Sequence, residues 1–373
     1  MLETYPLHSI SIEEAKQLQF KAVDAVTRHF NGLDVLNLGD LGVRQPRNKP
    51  DQTIRAEKVF ADMFDAERAL FVRGSGTGAI RWALLGCMRP GGRILVHDAP
   101  VYPTTAITLE SMAAQIVKVD FNDSQALRAV LQDESMVLDA ALVQQTRQKI
   151  DDRYDFGEVI GIIKGERPQL PVVTDDNYAA LKTGAVGCQL GADIATFSCF
   201  KVLGPEGVGV MIGRAEYIDR VAKMQYSGGS QIQGHEAMAA VRGLIYAPVS
   251  LAVQAEVTEE LCARINAGEL QGAKRALIAN AQSKVLLVEF EKEIAPAVIA
   301  AAEKLGAAPH PVGSESKYEF APMVYRVSGT FRAQDPSLEK RMIRVNPMRA
   351  GVDTVLRILQ SAMLVANAQN TNE

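Results

Sequence analysis

The 373-residue sequence predicts an α/β protein, with a large, mostly parallel mixed sheet of seven strands followed by a smaller C-terminal α+β domain. Three observations predict it. Between residues 69 and 213, apolar strand-like runs alternate with helical segments, the pattern of crossover connections that put helices on both faces of a parallel sheet. After Tyr226 the alternation stops, and a long helical stretch leads to three more strand signals and a last helix. The length also exceeds what one simple core accommodates. The expected boundaries are an N-terminal helix and arm over 1–48, the large domain over 49–247 and the small domain over 248–373.

Ser11 and Glu14 have the spacing of a capping box, opening a helix to about Phe30. Phe20, Val23, Ala25, Val26 and Phe30 are its expected buried stripe. The polar, proline-containing GDLGVRQPRNKPDQ reads as an arm, and IRAEKVFADMF as a second helix. The seven strands are then ALFVR, GRILVHD, QIVKVDF, AALVQQT, PVVTDDN, DIATFS and GVGVMIG. TGAIRWALLGCM, DSQALRAVLQ and DFGEVIGIIKG are helices between them. In the small domain a helix from about Pro248 to Ala267 precedes strands VLLVEF, MVYRVSG and MIRVNP. A final helix runs from Val352 to about Ala368, and the polar tail is expected to fray.

Composition narrows the classes. Hydrophobic residues at 47% and charged residues at 23% are ordinary for a globular chain. A net charge of -4 with scattered Lys and Arg argues against a nucleic-acid partner. No apolar run looks long enough for a bilayer, and no signal peptide opens the chain. Cys87, Cys188, Cys199 and Cys262 lack metal or disulfide spacing, so no metal and a cytoplasmic location are expected.

Three segments carry chemistry. In RGSGTGAIRWALLG a strand ends at Arg73 and a glycine-rich turn opens a helix. Helix N-terminal amides attract anions, and the hydroxyls of Ser75 and Thr77 beside Gly76 complete a plausible phosphate cradle. The same segment matches the dinucleotide pattern G-x-G-x-x-A, with Asp98 at a suitable distance for a ribose, so an NAD(P)-dependent dehydrogenase stays open. In PVVTDDN a buried run ends in Asp175 and Asp176, of which only one can face a given site. In DIATFSCFKVLGPEGVG, Lys201 follows a strand end, with Ser198 three residues before it. Burial there favours a neutral amine, the form that condenses with carbonyls. Phosphate cradle, ring-nitrogen carboxylate and Schiff-base lysine in that order suit pyridoxal 5'-phosphate (PLP).

These segments resemble the fold-type-I PLP enzymes of the aspartate-aminotransferase superfamily, near the cystathionine/methionine lyase group and its aluminium-resistance relatives. The resemblance runs from about Asp34 to Leu359. HDAPVYPTT is similar to that group's Tyr-x-x-Thr segment, which implies that Tyr102 stacks on the cofactor ring. DDNY resembles its Asp-x-x-aromatic segment and favours Asp175 over Asp176 for the ring nitrogen. SCFK resembles Ser-x-x-Lys, with Ser198 on phosphate and Lys201 on the aldehyde carbon. The group's Tyr-x-Arg element in the N-terminal arm is missing, and Arg44 or Arg47 is its expected substitute.

The resemblance also implies an amino-acid substrate and a homodimer, or a dimer of dimers. Arg344 in MIRVNPMRAG is the expected clamp for the substrate carboxylate, ahead of Arg349 and Arg332, because a guanidinium holds a carboxylate through two parallel bonds. Gln145 or Arg147, at the end of AALVQQTRQ, would contact the ring hydroxyl or the substrate. The expected reaction begins with an imine between cofactor and substrate, followed by proton removal by Lys201. A lyase of the β/γ-elimination type is expected from the resemblance, with aminotransferase and racemase as same-fold alternatives. Outside that class stand the dehydrogenase and a PLP-binding protein without turnover.

Overall fold

The computed structural model describes residues 3–146, 148–281, 283–311 and 315–370. The chain divides into two compact units. The larger holds Ile10–Thr146 and Arg153–Val249. The smaller holds the N-terminal residues through Ser9, a short piece ending at Asp152, and the chain from Ser250 onward.

The larger unit opens with helix α1 (Ile12–His29). The capping box forms: Ser11 Oγ accepts from the Glu14 amide, and the Glu14 carboxylate accepts from the Ser11 amide. The buried stripe differs from the expected one. Ala15, Ala22, Ala25, Val26 and Phe30 are buried, whereas Phe20 and Val23 are exposed. At 100° per residue Phe20 falls on the far side of the alanine stripe, so residue type misled where angular position decides.

After α2 (Asp51–Met63) come β1 (Arg68–Arg73), α3 (Ser75–Cys87), β2 (Arg93–His97), α4 (Pro103–Ser111), β3 (Gln115–Val119), α5 (Ser124–Gln132) and β4 (Ala140–Gln144). They are followed by α6 (Phe156–Glu166), β5 (Val172–Asp175), β6 (Ile194–Ser198), β7 (Val208–Gly213) and α7 (Ala215–Met224). The seven strands form one sheet in the order β1-β7-β6-β5-β4-β2-β3, with β7 antiparallel to both neighbours and the other pairings parallel. Alternation along the strands feeds two cores. Ile94 and Val96 pack toward Ala79, Ile80 and Leu84 of α3, while Leu95 packs on the other face toward Leu127, Phe156 and Ile160. The carboxyl ends of β1, β4, β5 and β6 therefore share one edge, where open α/β sheets bind ligands.

Helices α4 and α7 have no counterpart in the sequence expectation. PTTAITLES is threonine-rich and shows no apolar periodicity. Helix α7 follows a strand directly with Arg214 at its N-cap, and its first amide, at Ala215, is satisfied from afar by the Glu67 carboxylate at 2.8 Å. Helix α8 (Gly234–Arg264) starts fourteen residues before the expected Pro248, which lies inside it. Burial of Ala237, Met238, Ala240, Val241 and Leu244 outweighs the backbone bond lost at the proline. The helical run Gly228–Glu269 passes a length-and-composition test for crossing a bilayer, with a mean hydropathy of 1.3 in its most apolar 18-residue window, a test that core helices also pass. Of its most apolar window, 56% is buried inside the structure, as in a core helix.

The smaller unit carries β8 (Ala273–Ala281), β9 (Ser283–Phe290), α9 (Ala295–Lys304), β10 (Met323–Arg326), α10 (Gly329–Gln334), α11 (Leu338–Arg341), β11 (Met342–Asn346) and α12 (Val352–Asn370). Its antiparallel sheet runs β10-β11-β9-β8, with Leu286 and Val288 of β9 and Ile343 and Val345 of β11 packed against Val298 of α9 and Leu359 of α12. Strand β8 escaped the sequence reading because AKRALIANA is alanine-rich, and its hairpin partner supplies the pairing that propensity does not. Helix α12 continues to Asn370, two residues beyond the expected end.

Candidate active site

The site is built where α3 begins against the ends of β5 and β6. Gly74 caps α3 in the left-handed region (φ 97°), and the amides of Gly74 and Ser75 both donate to the Gly207 carbonyl, at 2.9 and 3.0 Å. The following first-turn amides, of Gly76 and Thr77, have no carbonyl four residues back within the helix to bond. Ser198 pairs with Gly209 across the β6–β7 ladder. A Cβ at Gly209 would sit 2.1 Å from the Ser75 carbonyl oxygen, so the glycine lets α3 start directly over this ladder. The two serine hydroxyls consequently meet at 2.5 Å. Thr77 bonds Thr104 hydroxyl to hydroxyl at 2.9 Å. The cluster joins three hydroxyl side chains, those of Ser75, Thr77 and Ser198, to a helix N-terminus, an arrangement suited to a phosphate.

The two adjacent aspartates turn to different tasks. Asp175, the last residue of β5, is buried, and its Oδ1 accepts from the Asn177 amide (3.1 Å) and side chain (2.7 Å). Burial raises its carboxyl above the ordinary range, and the nearby Lys201 amine and the Asn177 bonds offset only part of that rise. Asp176 is fully buried and turned into the structure, accepting from the Thr174 hydroxyl at 2.5 Å and the Gly187 amide at 2.8 Å. Burial pushes its carboxyl up to about 7, with its bonds to Thr174 and Gly187 pulling the other way.

Lys201 lies in the short turn after β6, with its Nζ 3.7 Å from the centre of the Tyr178 ring. Asn177 ties the parts together. Its Nδ2 donates to Asp175, and its Oδ1 accepts from the Ser198 amide at 3.0 Å. The same side chain lies so close to Gly76 that a Cβ there would come within 2.5 Å of Oδ1.

Of the expected site residues, Ser75, Gly76, Thr77, Asp175, Ser198 and Lys201 thus converge on one sheet edge. Tyr102 is the N-cap of α4 and is 41% exposed, leaving its ring available to a ligand. Gln145 follows β4 and is buried, with its amide nitrogen donating to the Thr183 hydroxyl (3.0 Å) and the Ala185 carbonyl (3.1 Å). Its Oε1 has no partner among the described residues. Arg147 lies outside the described residues. Arg344 is on β11 of the smaller unit, its guanidinium 4.1 Å from the centre of the Tyr325 ring and its Nε donating to the Arg326 carbonyl. Arg44 pairs with Asp51 at 2.9 Å within the arm. Sequence reasoning missed Asn177, Tyr178 and Thr104. The signal for the first two lay in DDNY itself, where the aspartates drew attention from the residues that position them. His97 packs between Phe121 and Tyr154, and its Nδ1 accepts from the Phe121 amide at 3.0 Å, a structural role.

A seven-stranded, mostly parallel sheet followed by a smaller C-terminal unit is the fold-type-I architecture, and the comparisons place the chain in that class. The aminotransferase class-V family model matches residues 48–246, and a YhfS-like C-terminal domain model matches 259–359. The uncharacterized protein YhfS of Escherichia coli K12 is 51% identical over 97% of this chain and 99% of its own. The crystal structure of that protein, described as pyridoxal-5'-phosphate dependent, superposes with a TM-score of 0.95 at 50% identity, covering 97% of this chain and 99% of that one. A pyridoxal phosphate-dependent protein of Methanothermobacter thermautotrophicus is 32% identical over 45% of this chain and 44% of its own. A Listeria monocytogenes protein described as a candidate cystathionine β-lyase involved in aluminium resistance shares the fold alone, with a TM-score of 0.70 and 17% identity over 95% of both chains. The chain therefore belongs to the class-V aminotransferase family of fold type I, as a relative of YhfS along nearly its whole length. That membership leaves the dehydrogenase reading without support, and Asp98 is an exposed strand-end residue 3.8 Å from Lys118.

Proposed function

We propose that this chain is a PLP-dependent enzyme that acts on an amino acid or amine, with Lys201 as the cofactor lysine. The observation that carries the reading is the convergence of Lys201, Asp175 and the Ser75–Ser198 hydroxyl pair at the start of α3. The residues fit the cofactor. Ser75, Thr77, Ser198 and the first-turn amides would hold its phosphate, and Asp175 would pair with its ring nitrogen. Tyr102 would lie on the ring. When bound, PLP supplies an aldehyde that condenses with amines and a ring that draws electrons from the neighbouring carbon.

The chain's own residues do the rest. Asp175 is held in one orientation by Asn177, so its charge is aimed rather than mobile. Lys201, once its amine is free, is the base for the proton on the carbon beside the substrate nitrogen. Gln145 offers an unpaired buried acceptor at the end of β4. Arg344 is the proposed carboxylate clamp, and Arg147 remains a proposed contact from sequence. The resemblance of HDAPVYPTT, DDNY and SCFK to the lyase group favours β- or γ-elimination, with transamination or racemisation as the second reading. A homodimer is part of the proposal. Leu33, Leu36, Leu38 and Leu41 of the arm are each at least 73% exposed, a density of apolar surface that a second copy would cover. The dispersed free thiols suit a reducing cytoplasm.

The test is an absorbance spectrum of protein purified with vitamin B6, before and after borohydride, with the modified peptide sequenced. A visible band and a label on Lys201 are expected, and neither in Lys201→Ala. A colourless protein, or a label elsewhere, refutes the reading. A screen of amino acids for ammonia, keto acid and thiol release then separates elimination from transamination.

A further inference from the structure

We infer that Tyr178 is a positioning residue whose ring face holds the Lys201 ammonium and raises the basicity of that lysine. The inference rests on the reading of Lys201 given above.

The amine sits 3.7 Å from the Tyr178 ring centre, well inside the range where an aromatic face attracts a cation. The placement is imposed by the backbone. Tyr178 has φ 66°, in the left-handed region that a bulky side chain seldom adopts. Such a conformation persists only where its surroundings dictate it. On the N-terminal side Asn177 is fixed by bonds to Asp175 and to the Ser198 amide. On the other side the amides of Ala179 and Ala180 both donate to the Asp176 carbonyl at 3.0 Å. The ring is thus a fixed floor, set in the same turn that orients the Asp175 carboxylate.

The chemical consequence concerns one proton. The base that removes a substrate proton must carry it as an ammonium, and the negative face of a ring stabilises that form over the neutral amine. Asp175 acts on Lys201 in the same direction through its charge, Asp176 is turned away to Thr174 and Gly187, and the Lys182 amine stands farther off, 6.0 Å from the same ring centre. Ring and carboxylate act against the partial burial of Lys201, which by itself favours the neutral amine. The hydroxyl of Tyr178 has no part in this, so phenylalanine should serve equally.

The test uses full-length protein dialysed with hydroxylamine to free the lysine. The rate of Lys201 modification by trinitrobenzenesulfonate is followed by peptide mass spectrometry from pH 6 to 11, and the midpoint gives the acidity of that one amine. Tyr178→Phe should keep the wild-type midpoint. Tyr178→Leu should move it to lower pH, so that the neutral fraction at a fixed pH below the midpoint rises by roughly twofold to thirtyfold. Tyr178→Met serves in its place if the leucine variant does not fold. An unmoved midpoint in the aliphatic variants overturns the inference, and so does an equal shift in Tyr178→Phe. Because this readout needs no bound cofactor, it is independent of the borohydride label: a label on another lysine would defeat the functional reading while leaving the midpoint comparison intact.

Discussion

Replacing Asp176 by asparagine should stabilise the protein at neutral and alkaline pH and leave it unchanged in acid. The carboxyl is fully buried, and its acidity is shifted from the ordinary 3.8 up to about 7, chiefly by burial. A group that binds its proton more tightly in the folded chain gives its full contribution below the unfolded value and loses it as pH rises through the folded value. The loss runs from about pH 4 to pH 7 and is constant above. At about 1.4 kcal/mol per pH unit it amounts to roughly 4 kcal/mol. Asparagine can take over the bonding. Its oxygen accepts from the Gly187 amide, and its nitrogen donates to Thr174 Oγ1, whose own proton turns to the Ile194 carbonyl at 3.4 Å. The assay is thermal melting of wild type and Asp176→Asn from pH 4.5 to 8.5, free of cofactor, because ligand binding would add its own pH dependence. The variant should gain roughly 5–10 °C at pH 8 and little at pH 4.5. A difference that stays constant with pH would refute the reasoning, since only a titrating Asp176 generates the slope.

Asp175→Asn, in contrast, should retain cofactor yet lose turnover by at least about a hundredfold, the usual cost of removing one aimed charge from a reacting site; steady-state rates and a retained visible band check it. Gly76→Ala should weaken cofactor binding by about tenfold or more in a spectral titration and lower the melting midpoint. Its Cβ would meet Asn177 Oδ1 at 2.5 Å, and a clash costing about 1–3 kcal/mol outweighs the roughly 1 kcal/mol that alanine gains over glycine in a helix. Lys49→Ala should destabilise the protein by roughly 3–5 kcal/mol in urea, because it strands the buried Glu57 carboxylate, now bonded at 2.7 and 3.0 Å. Adding Glu57→Gln should recover part of that loss, and a double variant as unstable as the single would contradict the assignment.

Most of the larger unit was legible because its central strands are buried on both faces and read as continuous apolar runs between turn residues, although the edge strand β3 is largely exposed. What escaped depended on distant partners. The first amide of α7 is satisfied by Glu67, far away in sequence, so no local cap announces the helix. Pro248 read as a helix start because local rules place proline there, yet the helix passes through it on the strength of side chains packed earlier along its length. The proposed cradle and Lys201 drew attention only in combination, because the glycine-rich turn alone also fits a dinucleotide site and a lone loop lysine alone carries no signal. Asn177 and Tyr178 drew none. Both stand in DDNY, but their importance lies in bonds and ring contacts that link three segments, which a linear reading does not show.

The two aspartates show why adjacency is not redundancy. Successive side chains at a strand end point apart, so one carboxylate reaches the site and the other the interior. Asp175 has a cation beside it and a side-chain amide to orient it, which is what a buried charge needs in order to act on a ligand. Asp176 has hydrogen-bond donors, and burial favours its protonated form, so its role is to hold Thr174 and Gly187 together. The turn that carries Asn177 and Tyr178 is closed by backbone, since the carbonyl of Asp176 receives the amides of Ala179 and Ala180. Under the proposed function Asp175 meets the chemistry while Asp176 ties Thr174 to Gly187, so the pair should separate experimentally: the first in rate with little change in melting, the second in melting with a pH slope.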